Sequence, residues 1–167
     1  MTENRLLPAQ ELIACYRDRQ WTLATCESLT AGLLAATIAD VAGASAVLRG
    51  GFITYETGLK HQLAGVARQT LATLGAVAEQ TAIEMAIGAR VRCHATVGAS
   101  LTGVAGPDEQ EGHPVGEVWI GVSMNQQAYA VRCDLVGDRR SIREQAVVRA
   151  IGMLSTLDSS GGNKQDS

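Results

Sequence analysis

The sequence predicts a single α/β domain, a layered sandwich in which a mixed β-sheet is flanked by α-helices. Three observations predict it. Short apolar runs at residues 21–26 (WTLATC) and 95–102 (ATVGASLT) end in small polar or glycine-rich loops, as buried strands do. Longer segments with helical apolar spacing lie between and around them. Two alternating segments, 116–124 and 128–136, flank a short polar turn, the pattern of a hairpin. The length of 167 residues fits one domain with its own core.

In chain order, residues 8–20 read as the first helix, with Pro8 in its opening turn and Leu12, Ile13 and Tyr16 on its apolar face. The strand 21–26 runs into Glu27-Ser28-Leu29-Thr30-Ala31-Gly32 and then into a second helix, LLAATIADVAG, ending near Gly43. A strand, a polar loop and a helix start gather free N–H groups at the positive end of the helix dipole, which suits an anion. Ser28 or Thr30 is equally a natural N-cap. The loop is not a P-loop, because the GxxxxGK[ST] spacing is absent.

The stretch GASAVLRGGFITYETGLK follows, with Ser45, Tyr55 and Lys60 inside sixteen residues. Gly50 and Gly51 allow a sharp change of direction between the serine and the tyrosine. Residues 52–55 read as a short strand and Lys60 as part of a helical turn beginning near Thr57. A hydroxyl, a phenol and an amine can then converge, and a serine beside a deprotonated lysine is a nucleophile that needs no histidine.

Short helices are expected at 59–66 and 68–74, the second closed by Gly75, and a longer one at 79–93 with a broad apolar face. The strand 95–102 ends in the turn Gly103-Val104-Ala105-Gly106-Pro107. Ligands in α/β sheets sit beyond the carboxyl ends of strands, and the loops after Cys26 and after Thr102 both qualify. Residues 108–114 (DEQEGHP) read as a mobile, solvated loop. Asp138 is a good N-cap for a final helix from Arg139 to about Leu157. Arg139, Arg140 and Arg143 crowd its first turn, where cations are disfavoured unless one of them faces an anion. The tail 159–167 is polar and glycine-rich and is expected to be disordered.

Composition narrows the function classes. Net charge is −3 with no basic run, which argues against nucleic-acid binding. Apolar residues make up 46% and aromatics 4%, so the core should be aliphatic with close backbone contacts. No apolar stretch is long enough to span a membrane, and MTENRLLP does not resemble a signal peptide. Four cysteines and three histidines are scattered without metal-ligand spacing. A cytoplasmic protein with reduced thiols and no metal is the expectation.

The ordered motifs also carry a resemblance. The run CESLTAGLLAATIADVAGASAVLRGGFITYETGLKHQLAGV, followed by LGAVAEQTAIEMAIGA, TGVAGPDE, PVGEVWIG and GDRRSIREQAV, resembles the CinA C-terminal domain family over about residues 21–154. The resemblance implies a nicotinamide mononucleotide amidohydrolase of pyridine-nucleotide salvage, releasing nicotinate mononucleotide and ammonia without a cofactor. It implies Ser45 as nucleophile, with Tyr55 and Lys60 as its catalytic partners. It implies substrate contacts from Ser28, Thr30, Ala31 and Gly32, from Thr102 and Gly103, and from Arg143, with Arg139 as second choice for the phosphate. It also implies a stand-alone form and a homo-oligomer. Ala44 stands where the family often has serine, and ESLTAG replaces ESCTGG. Some relatives of this kind lack amidase activity, which leaves a non-hydrolysing pyridine-nucleotide-binding protein as the alternative.

Overall fold

The computed structural model describes residues 3–159. Five strands form one mixed sheet: β1 (Leu23–Glu27), β2 (Leu48–Ile53), β3 (Val97–Gly103), β4 (Glu117–Met124) and β5 (Gln127–Asp134). Their spatial order is β2-β1-β3-β4-β5. β1 pairs parallel with both β2 and β3, and the β3–β4 and β4–β5 pairs are antiparallel. The three parallel strands therefore point their carboxyl ends the same way, and the crevice rule places a ligand there.

Six α-helices cover the described sheet: α1 (Glu3–Asp18), α2 (Leu33–Ala39), α3 (Thr57–Ala64), α4 (Arg68–Leu74), α5 (Glu79–Arg92) and α6 (Arg139–Ser155). α1, α2 and α6 share the larger core with one face of the sheet, through Leu12, Tyr16, Leu34, Ile38, Ile142 and Ile151 among others. Tyr16 donates its hydroxyl to the Leu154 carbonyl at 3.0 Å, tying α1 to α6. On the other face, α5 and α3 enclose Ala24, Cys26, Ala64, Val66, Met85 and Ala89.

That second face is packed at backbone distance. A Cβ on Gly98 would sit 2.1 Å from the Ala86 carbonyl oxygen, and one on Gly121 would sit 2.4 Å from that of Ala82. A Cβ on Gly88 would fall 1.8 Å from the Ala64 oxygen on α3. This contact gives a prediction. Gly88→Ala should destabilise the fold by about 3 kcal/mol in urea unfolding, because backbone rather than a flexible side chain must move. Gly152→Ala on α6, where a Cβ meets nothing within 4 Å, should instead gain about 1 kcal/mol from helix propensity.

Several boundaries differ from the sequence reading. Helix α1 begins before Pro8, which lies inside it. Helix α2 stops at Ala39 instead of reaching Gly43, and a short 3₁₀ turn at Ala44–Ala46 follows. Gly50 and Gly51 do not turn the chain; they lie within β2. A Cβ on Gly51 would sit 2.5 Å from the Thr25 carbonyl oxygen, so the absent side chain serves a close approach to β1. Residues 108–114 are exposed apart from the half-buried His113, as a solvated loop would be, yet they are tied down: the Glu111 carboxylate accepts from the Ala76 N–H at 3.2 Å, and Gln110 and His113 exchange backbone hydrogen bonds. The tail reading falls outside the described residues, apart from Ser159, whose carbonyl accepts from Asn125. No described helix is long and apolar enough to cross a membrane.

Candidate active site

The site grows from the carboxyl ends of the parallel strands. Ser28 follows β1 directly, and its N–H is fixed by the Leu101 carbonyl of β3 at 2.8 Å. Thr54 follows β2, and its N–H donates to the Glu27 carbonyl at 2.9 Å. The chain then enters α3, which carries Lys60 inward. Lys60 is only 1% exposed. Its Nζ lies 3.1 Å from Ser28 Oγ and 2.7 Å from the Thr54 carbonyl oxygen. Burial pushes the Lys60 pKa down from its ordinary value near 10.5, with Cys26 and Glu111 pulling weakly the other way. A buried lysine on a serine hydroxyl is thus present, but the serine is Ser28.

Ser45 is elsewhere. It sits exposed on the 3₁₀ turn that precedes β2, at the amino end of that strand. Tyr55 and Lys60 follow the carboxyl end of the same strand. The six residues of β2 separate the two ends by roughly 17 Å, beyond any proton transfer. Ser45 and Lys60 are close in sequence because a strand joins them, and a strand holds its ends apart.

A cavity of about 110 Å³ opens beside Ser28, lined by Leu29, Tyr55, the turn 103–106, Asp108, Gln110 and Arg139. Tyr55 is 56% exposed and stands at the rim, its hydroxyl accepting from Arg139 Nη2 at 2.7 Å. Arg139 Nη1 donates to the Gly106 carbonyl at 2.6 Å, so one guanidinium ties α6 to the β2–α3 and β3–β4 loops. A neighbouring groove of about 480 Å³ shares Arg139 and is lined by Leu33, Asp138, Arg140, Arg143 and Glu144.

Of the other expected substrate contacts, Ser28, Gly103 and Arg139 line the cavity. Thr30, Ala31, Gly32, Thr102 and Arg143 are not among its lining residues, and all five make hydrogen bonds elsewhere. The Thr102 hydroxyl donates to the Ala76 carbonyl at 2.7 Å and is buried. Arg143 donates from Nε to the Leu29 carbonyl and from Nη2 to the Thr30 carbonyl, both at 2.9 Å. Gly32, whose N–H was expected to meet a phosphate, donates it to Glu27 Oε2 at 3.0 Å. Glu27 also accepts from Leu34 N–H at 3.0 Å and Ala35 N–H at 2.9 Å. The start of α2 therefore already holds an anion, the protein's own fully buried carboxylate. Neither Ser28 nor Thr30 caps α2; Thr30 is buried and its hydroxyl has no partner among the described residues. The Asp138 expectation holds, with Oδ1 accepting from the Ser141 N–H at 2.8 Å.

Sequence reasoning missed Glu27, Asp108 and Gln110. An acidic residue as the last of an apolar strand, directly before a helix start, was the available signal for Glu27. Among the described residues, no cluster of three or more His, Cys, Asp or Glu side chains could hold a metal ion.

Fold and crevice together define a single-domain α/β protein with a mixed five-stranded sheet and a polar cleft at its parallel carboxyl ends. The model of the CinA C-terminal domain matches residues 7–157, and the chain belongs to that family. It is 46% identical over 140 residues to a CinA-like protein of Frankia casuarinae, covering 84% of this chain and 32% of that protein. The chain spans about a third of the length of the curated relatives it matches. The crystal structure of the competence/damage inducible protein CihA from Agrobacterium tumefaciens superposes with a TM-score of 0.86 at 34% identity, over 90% of this chain and 93% of that one. That of the competence damage-inducible protein A (ComA) from Klebsiella pneumoniae gives 0.88 at 31% identity, over 90% and 94%.

Proposed function

We propose that the chain hydrolyses the carboxamide of nicotinamide mononucleotide to nicotinate mononucleotide and ammonia, with Ser28 as nucleophile and Lys60 as its base. The observation that carries this reading is the Lys60 Nζ at 3.1 Å from Ser28 Oγ, buried in a pocket that lowers its pKa. A neutral amine in that place accepts the Ser28 proton as Oγ bonds to the carboxamide carbon. The same proton passes to the departing nitrogen, so ammonia leaves and Ser28 remains as an ester. Water, deprotonated by Lys60, then cleaves the ester, releasing the carboxylate and restoring Ser28.

The oxyanion needs preorganised donors. The backbone N–H groups of Leu29, Ala105 and Gly106 belong to cavity-lining residues and carry no hydrogen bond among the described residues. The cavity of about 110 Å³ suits the amide-bearing ring, with the sugar and phosphate extending outward past Tyr55. Asp108 and Gln110 offer acceptors for ribose hydroxyls. Arg139, shared by cavity and groove, meets the phosphate. Tyr55 stays at the mouth, bonded to Arg139, so its role is to orient that guanidinium rather than to move the Ser28 proton.

The test is ammonia release by the purified chain from nicotinamide mononucleotide, with free nicotinamide as control. Release from the nucleotide at a rate far above that from nicotinamide is expected. Nucleotide binding without ammonia would favour the non-hydrolysing binding protein instead.

A further inference from the structure

The loop that carries Ser28 makes backbone bonds of its own, from Ala31 N–H to the Ser28 carbonyl and from Leu33 N–H to the Thr30 carbonyl, both at 3.0 Å, and side chains hold it further from outside. Residues 28–32 lie in neither helix nor strand. Ala31 has φ of 48° and Gly32 of 94°, both left-handed. Loops of this kind have several accessible shapes, and each residue fixed costs conformational entropy. Two side chains hold this one. From the side of its N–H groups, the Glu27 carboxylate takes Gly32. From the side of its carbonyls, Arg143 takes two in succession, Leu29 through Nε and Thr30 through Nη2, each at 2.9 Å. Glu27 is local, whereas Arg143 reaches the loop from α6 across 114 residues of sequence.

We propose that Arg143 is a positioning residue for the nucleophile, not a ligand of the substrate phosphate. This rests on the reading of Ser28 and Lys60 given above. The fork of a guanidinium matches two adjacent acceptors, and a lysine ammonium cannot span them in the same way. A trans peptide points its carbonyl and its N–H in opposite directions. Holding the Leu29 carbonyl on Arg143 therefore turns the Thr30 N–H the other way, and holding that of Thr30 fixes the peptide that leads into Ala31. The Leu29–Thr30 and Thr30–Ala31 peptides that follow Ser28 directly are thereby immobilised, at the cost of two of the guanidinium's donors. Arg139 also uses two donors, on the Gly106 carbonyl and the exposed Tyr55 hydroxyl, but it lines the cavity beside Ser28 and Arg143 does not, so it is the arginine that faces an incoming anion.

Comparing two substrates separates the roles. Arg143→Lys keeps the charge and loses the fork. It should lower kcat about 10- to 100-fold on nicotinamide mononucleotide and by the same factor on nicotinamide riboside, which has no phosphate, with KM little changed. Arg139→Lys, run in parallel, should raise KM for the nucleotide alone. Arg143→Ala should regain part of its lost kcat on addition of millimolar guanidinium ion, with the thermal midpoint of the protein unmoved by that addition. A loss in Arg143→Lys confined to the nucleotide would make Arg143 a phosphate ligand and overturn the proposal. Unchanged kcat would also overturn it, as would a loss that tracks unfolding by circular dichroism and resists guanidinium.

Wild-type protein that releases no ammonia from either substrate would sink the proposed function by itself. Labelling of Ser28 by a fluorophosphonate probe then decides the positioning role. Labelling at least tenfold slower in Arg143→Lys supports it; equal rates, or no labelling of wild type, overturn it.

Discussion

Ser28→Ala is expected to reduce ammonia release from nicotinamide mononucleotide by at least about three orders of magnitude, while Ser45→Ala stays within about twofold of wild type. The two serines are the sharpest contrast in the chain. Ser28 Oγ lies 3.1 Å from a buried lysine, inside a cavity, on a loop clamped from both sides. Ser45 is exposed on a 3₁₀ turn at the opposite end of β2. Deleting the Ser28 hydroxyl leaves the pocket and its free N–H groups intact, so KM should change far less than kcat. Full activity in Ser28→Ala with loss in Ser45→Ala would reverse the assignment and require a rearranged site.

Lys60→Met should fall by a comparable factor, and it separates catalysis from stability. Methionine fills a similar volume without charge, so the base is lost and the packing kept. In the wild type, kcat/KM should rise with pH as Lys60 gives up its proton and level off below the ordinary lysine value near 10.5, because burial has lowered its pKa. The residual activity of Lys60→Met should lack that rise. The stability effect has the opposite sign. A lysine whose folded pKa lies below its unfolded value binds more proton in the unfolded chain across the interval between them. The unfolding free energy therefore rises with pH over that interval. Below it the wild type carries the cost of a buried ammonium that the methionine variant does not. Lys60→Met should consequently melt at a higher temperature than wild type at acidic and neutral pH, with the gap closing as pH approaches 10.5. A destabilised variant at every pH would show that the Lys60 bonds to Ser28 and the Thr54 carbonyl outweigh that cost.

The strands, the hairpin and α5 were legible because their signals are periodic and local. WTLATC and ATVGASLT are apolar runs of strand length, and β4 and β5 alternate around a tight turn. The Ser28–Lys60 pair was not legible, because the sheet makes it. Lys60 meets Ser28 across 32 residues since β1 and β2 lie side by side in parallel register, with Glu27 opposite Ile53. Nearness in sequence and the family resemblance both pointed to Ser45, and the extended strand between Ser45 and Tyr55 holds it away from Lys60. The arginines of α6 were legible as a cluster, one of which was expected to face an anion. Which acceptors they find was not: Arg143 takes loop carbonyls, and Arg139 takes Tyr55 and Gly106. Likewise the string DEQEGHP is solvated as its composition says, but nothing in it shows that Glu111 anchors it to the Ala76 N–H and that Asp108 and Gln110 line the cavity.

The placement of both arginines on α6 has a consequence for biosynthesis. Ser28, Lys60 and the turn 103–106 are all translated before Arg139 and Arg143, and α6 is the last of the described helices. Until that helix docks, the larger core lacks Ile142, Ala146 and Ile151, and the loop 28–32 lacks both guanidinium bonds. Completion of the core and closure of the cleft rim are therefore one event, and both wait for the last described helix to be made.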